Sequence, residues 1–247
     1  MTKDKIKDLL WQHVLLLVTL YVMTLGVAVC VRSAVGSSVI STIPYVLQQA
    51  GEKGLGVPAW TIGGYTTAIN FLFVAIQILI LRRQFEMVQL FQLVIGAFFG
   101  TLIDLNMWLT TWLVPAAFWS KALAQIAGCT ILGFAIAMEV RCGSVTMPGE
   151  GMPIAISRVT GWNFPKVKIW VDTTLVCIAV LLSILFFGAW QWQITGWGTL
   201  FAMVYVGMAV KAFSKHLEWF DHVLHYRPGF RRYIYGLARY IKRTEAD

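Results

Sequence analysis

Val14-Leu-Leu-Leu-Val-Thr-Leu-Tyr-Val-Met-Thr-Leu-Gly-Val-Ala-Val-Cys-Val31 is an unbroken run without a charged residue. Crossing the hydrocarbon core of a bilayer as an α-helix takes ~20 predominantly apolar residues. The run therefore predicts a membrane span. Five stretches of the same kind follow, at Ile62–Leu81, Met87–Trp108, Ala122–Val140, Ile169–Trp190 and Ile194–Phe213. The predicted class is an all-α membrane protein with six transmembrane helices.

Composition points the same way. Hydrophobic residues make up 58% of the chain and charged residues 13%, with a mean hydropathy of +0.69. A soluble domain carries roughly 25% charged residues, so the deficit fits a surface covered by lipid. The net charge of +8 would suggest nucleic acid in a soluble chain. Here the basic residues sit beside apolar spans, where they fix orientation and meet anionic lipid; no nucleic-acid partner is expected. The basic start Met1–His13 leads into the first span without an A-x-A cleavage site, so that span is expected to be retained.

The positive-inside rule sets the orientation. With the N-terminus in the cytoplasm, all but Arg32, Lys53 and Lys121 of the 20 Lys and Arg residues fall on the inner side. Trp108, Trp112, Trp119, Trp190 and Trp192 gather at the opposite surface as an aromatic belt. The expected location is the bacterial cytoplasmic membrane, with both termini inside. The organisation predicted is a cytoplasmic segment (1–13), a first membrane repeat (14–108), an external connection (109–121), a second repeat (122–213) and a tail (214–247). In the tail, Phe230, Tyr233, Ile234, Leu237 and Ile241 recur at helical spacing among arginines and lysines. That is a basic amphipathic helix expected on anionic lipid of the inner leaflet.

The repeat is read from matches in order. Leu25-Gly26 pairs with Leu132-Gly133, Val31-Arg32 with Val140-Arg141, Pro44 with Pro153 and Thr66-Thr67 with Thr173-Thr174. Gly54-Leu-Gly-Val-Pro58-Ala-Trp-Thr-Ile62 pairs with Gly161-Trp-Asn-Phe-Pro165-Lys-Val-Lys-Ile169. Each match alone is noise; together they describe a duplicated unit. A unit of three spans enters the membrane from opposite sides in its two copies, which makes an inverted repeat of the kind transporters use. Each unit also carries a segment too short to cross and too apolar for an exposed loop: Ser33-AVGSSVISTIPYV-Leu47 and Cys142-GSVTMPGEGMPIA-Ile156. Both are expected to be re-entrant stretches ending in a half-helix.

Glu150, in Thr146-Met-Pro148-Gly-Glu150-Gly, is the most informative ionisable residue. In the first turn of a half-helix it either caps backbone N–H groups or binds a proton or cation within the membrane. Glu139 and Asp172 are further candidate carboxylates. Arg32 and Arg141, repeat-mates at the re-entrant entrances, either hold an anionic ligand or snorkel to headgroups. Ser37, Ser38, Thr146 and Thr173 could supply hydroxyls to a site. Asn70, Gln77, Gln92 and Gln125 are expected to be interhelical hydrogen-bond glue. Cys30, Cys129, Cys142 and Cys177 show no CxxC spacing, and the histidines form no ligand pair. No nucleophile–base, P-loop or dinucleotide motif occurs. Neither an enzyme nor a cofactor nor a metal is expected.

These features resemble the YczE/YitT-like group of bacterial integral membrane proteins. Pro148-Gly-Glu150-Gly151 stands where that group has PxDG, with Glu for Asp. Gly161–Asp172 and Gly196-Trp-Gly198-Thr199 are similar to its following motifs. In the first half the corresponding site is lost, with Val39 and Ser41 in place of the proline and acid. The resemblance covers about Leu15–Phe213 and implies two related three-helix halves without fixing an activity. The function expected first is a small-solute transporter or channel whose site lies where the half-helices meet. A membrane accessory protein acting on a cytoplasmic partner through the tail is the alternative. Self-association into a homo-oligomer stays open.

Overall fold

A computed structural model describes residues 3–142 and 146–224. The tail helix expected beyond residue 224 lies outside the described residues. Among the described residues all regular structure is helical: α1 (Lys3–Ser33), α2 (Val39–Glu52), α3 (Ile62–Leu81), α4 (Phe91–Leu109), α5 (Phe118–Cys142), α6 (Pro148–Thr160), α7 (Phe164–Phe187), α8 (Trp197–Ser214) and α9 (Glu218–Leu224). Six are long and apolar enough to cross a bilayer: α1, α3, α4, α5, α7 and α8. The chain is a multi-pass membrane protein.

Local sequence explains most boundaries. Thr61 caps α3, its hydroxyl accepting the Gly64 N–H at 3.0 Å. Asp104 of α4 completes that cap: Oδ1 accepts the Gly63 N–H at 2.8 Å and Oδ2 the Thr61 hydroxyl at 2.6 Å. Gly161 and Gly188 end α6 and α7 at φ +72° and +68°, where a side chain would be strained. Pro148 and Pro165 occupy first turns, where a missing N–H costs nothing. Because α7 starts at Phe164, with Pro165 in its first turn, Lys166 and Lys168 belong to the span and not to the preceding loop. Met87–Leu90 forms a 3-10 turn, so α4 begins later than its apolar run.

In lipid there is little hydrophobic drive between helices, so small residues and hydrogen bonds must bring them together. α1 and α5 run against each other at the centre. A Cβ on Gly26 would stand 2.7 Å from Leu132 N, and one on Gly128 2.8 Å from Cys30 N. α4 packs on α1, and α8 on α5. One core cluster joins Leu16, Leu20, Val27, Phe99, Ile103 and Leu132. Leu217 and Phe220 belong to it too, and the Trp11 indole N–H donates to Val223 O at 2.8 Å. The start of α1 and the chain beyond α8 thus share one end of the bundle. At the other end Trp190 stacks on Trp192 at 4.6 Å, while Trp108, Trp112 and Trp119 stand exposed.

The short helices α2 and α6 build a second cluster. α2 packs on α7 and α6 on α3. Phe73, Val167, Val171 and Leu175 are buried there against Val39, Ile43, Met152 and Ile156. Pro44 and Pro153 are buried at the same step from the start of their helices.

Candidate functional site

The first turns of α2 and α6 touch. A Cβ on Gly149 would lie 2.3 Å from Ile40 Cδ1, so glycine there admits the isoleucine. Pro148 fixes the height of this junction. A Cβ on Gly96 of α4 would meet Asn70 Nδ2 at 3.3 Å and Pro148 Cγ at 3.4 Å, so the three residues converge. Asn70 lies near the middle of α3, ~12 Å along the helix from Ile62 at 1.5 Å per residue.

Charged groups surround the start of α6. Lys168 Nζ lies 3.2 Å from Glu150 Oε1 and 3.0 Å from Asp172 Oδ1. Lys168 and Asp172 are four apart on α7, a spacing that puts both on one face. The apolar run starts at Ile169 and leaves Lys168 outside the expected span, so this triad emerges only because α7 starts earlier, at Phe164. Glu139 is buried, and its Oε1 accepts the Met147 N–H at 3.2 Å. A carboxylate from α5 thus closes the N-terminus of α6, where the helix dipole is positive.

The other candidates go elsewhere. Arg32 Nη2 donates to Met107 O at 2.7 Å, at the end of α4. Arg141 Nη1 donates to Leu217 O at 3.0 Å and Nη2 to Ser214 O, at the end of α8. Neither guanidinium reaches the α2–α6 junction by these bonds. Ser37 holds Ile194 O through both its N–H (2.8 Å) and its hydroxyl (3.0 Å). Ser38 and Ser41 share a 2.7 Å hydrogen bond. Thr173 is exposed on α7.

Thr146 lines a small cavity of about 30 Å³, together with Gln77, Gln89, Gln92, Gly151 and Arg158. That is room for about one water molecule. Gln77 Nε2 donates to Gln92 Oε1 at 3.0 Å and to Pro148 O at 3.3 Å. Gln125 accepts the Ser33 hydroxyl at 2.7 Å and donates to Gly198 O at 2.8 Å. These glutamines do bond between helices. Asn70 does not: it is fully buried, and neither Nδ2 nor Oδ1 has a partner. Among the described residues, no group of three or more His, Cys, Asp or Glu side chains is placed to hold a metal ion.

No curated protein and no solved structure matches the chain. Residues 10–215 match the profile of a family described as "Family of unknown function (DUF6198)", and the chain belongs to that family.

Proposed function

We propose that the protein carries a small solute across the bacterial cytoplasmic membrane, as two inverted three-span repeats whose re-entrant half-helices, α2 and α6, meet at the binding site. The observation that carries this is the contact of their first turns, Ile40 on Gly149, at the level of Asn70 in α3. Broken helices that meet within the membrane present unpaired backbone groups to a solute, a recurring transporter design. The repeat is supported by exchange of partners: α2 rests on α7 and α6 on α3, while α4 rests on α1 and α8 on α5. It is supported again by Arg32 and Arg141, which hold the ends of α4 and α8 respectively. The carboxylates of Glu150 and Asp172, sharing Lys168, are the candidates to couple transport to a proton or cation. Bilayer orientation with both termini inside follows the distribution of Lys and Arg.

Close packing favours the second reading, a membrane accessory protein, because a cavity of about 30 Å³ is smaller than most ligand sites. The two differ in motion. A carrier must expose the α2–α6 junction to each side in turn, whereas a scaffold keeps it closed. With the four native cysteines replaced, an Ile40→Cys thiol should react slowly with an impermeant maleimide from either face of the membrane. A thiol that stays unreactive from both faces sinks transport and leaves the scaffold.

A further inference from the structure

We infer that Asn70 is the recognition group of a subsite for a small, uncharged, hydrogen-bonding solute of the urea or amide class, entered from the cavity at Gln77 and Gln92. This rests on the transport proposed above and assigns its substrate class.

An amide buried in the membrane without a partner is costly. A buried donor or acceptor left unsatisfied pays its full desolvation cost, and Asn70 leaves both kinds unsatisfied. Its neighbours Gly96 and Pro148 offer no side-chain polar group. The side chain therefore presents one acceptor and an NH₂ group, ready for a molecule that both donates and accepts.

A polar track leads to it. Asn70 and Gln77 lie two turns apart on α3, and Gln92 and Gly96 one turn apart on α4, so these four face the same seam. At its far end lies the cavity, with Gln77, Gln92 and Thr146 in its wall and exposed Arg158 at its edge. Gln89 also lines it, and its Oε1 is a second buried acceptor without a partner. Between cavity and Asn70 stands Pro148, whose carbonyl is held by Gln77. The start of α6 is thus the barrier that a solute must displace.

Charge decides the class. The carboxylates around α6 are engaged: Glu139 with the Met147 N–H, Glu150 and Asp172 with Lys168. What is left unpaired along the seam is neutral, the Asn70 amide and the Gln89 carbonyl. A charged solute would lose its hydration shell with no counter-charge to replace it. A neutral amide would trade hydrogen bonds to water for hydrogen bonds to these groups.

The test uses the full chain in proteoliposomes, with urea entry followed by stopped-flow light scattering and radiolabelled methylammonium as the charged comparison. Wild type should admit urea faster than protein-free vesicles. Asn70→Leu, which keeps the volume but removes both polar groups, should slow urea entry about tenfold while melting at the same temperature as wild type or higher. Asn70→Gln should keep part of the urea entry. Urea entry unaffected by Asn70→Leu overturns the inference, and so does a lowered melting temperature, which would make Asn70 structural. Methylammonium uptake without urea entry overturns the neutral class and leaves transport standing. Movement of neither solute by the wild type overturns the inference, and the Ile40→Cys labelling then decides separately whether the junction opens at all.

Discussion

Replacing Arg141 by Met keeps an apolar stem of similar length and removes the guanidinium. The structure then loses the hydrogen bonds to Leu217 O and Ser214 O. A hydrogen bond from a charged donor is worth about 1.5–3 kcal/mol. Leu217 is 1% exposed, so water cannot readily replace the bond there, while Ser214, at the end of α8, is easier to rehydrate. A net loss of about 2–4 kcal/mol follows, with the lower figure allowing for that rehydration. In a chain of this size 1 kcal/mol moves the melting temperature by about 2–4 °C, which gives a fall of roughly 5–15 °C. Arg32→Met removes the single bond to Met107 O, about 1.5–3 kcal/mol, and should lower the melting temperature by less. Arg141→Lys should recover only part of the loss, because an ammonium lacks the planar fork that reaches two carbonyls at once. Thermal unfolding of the detergent-solubilised full chain, followed by tryptophan fluorescence, measures all three. Melting of both Met variants within about 1 °C of wild type would refute a helix-end role. Loss of an anion-dependent stabilisation in the same variants would return the arginines to ligand binding.

Gly26→Ala should destabilise by about 1–3 kcal/mol, as overpacking does, because the new methyl meets backbone atoms of α5 at 2.7–3.0 Å; an unchanged urea or thermal midpoint would contradict the close α1–α5 crossing. In a cysteine-free background, cysteines at Trp112 and Ala189 should react with an impermeant thiol reagent from outside the cell, and one at Arg83 only after lysis; the reverse pattern would invert the orientation. Asp104→Ala should cost about 0.5–2 kcal/mol, the usual loss of a helix cap, and amide exchange should rise at Gly63 and Gly64 before it rises elsewhere in α3.

The spans were legible because length and apolar content are all that a bilayer demands. Ile62–Leu81 matches α3 at both ends, since Thr61 caps it and charged Arg82 and Arg83 follow. The two short helices were legible as segments too apolar for loops, with Pro148 marking the start of α6. What is hidden in the sequence is which particular groups meet when the helices face one another. Lys168 looked like a loop cation because an apolar count begins at Ile169, yet Pro165 had already started the helix. Arg32 and Arg141 read equally as ligand-binding or snorkelling cations, because a carbonyl at the end of a distant helix leaves no trace in sequence. Glu139 and Arg141, two residues apart on α5, part company: one accepts from the start of α6 and the other holds the end of α8. Asn70 and Gln77 read alike as interhelical glue, and nothing in residue type distinguishes the paired amide from the orphaned one.

The proposed halves are not in the same conformation. In the first, α3 and α4 cross closely at Gly63 and Gly100: a Cβ on Gly100 would meet the Thr67 hydroxyl at 2.1 Å and Gly63 O at 2.4 Å. In the second, α7 and α8 have no comparable packing. The alignment that pairs Thr66 with Thr173 places Gly207 of α8 opposite Gly100, and a Cβ on Gly207 would meet nothing within 4 Å. Gly207 is exposed, with no neighbour against it. The segments before the half-helices differ in the same sense. Gly36 is wedged against the start of α8, where a Cβ would lie 2.4 Å from Thr199 N, whereas Thr146 borders the cavity beside Gln92. The first segment is tightly packed at Gly36, and the second borders a space at Thr146. If transport exchanges the conformations of the two repeats, the opposite state closes α7 onto Gly207 and opens the Gly36–Thr199 contact.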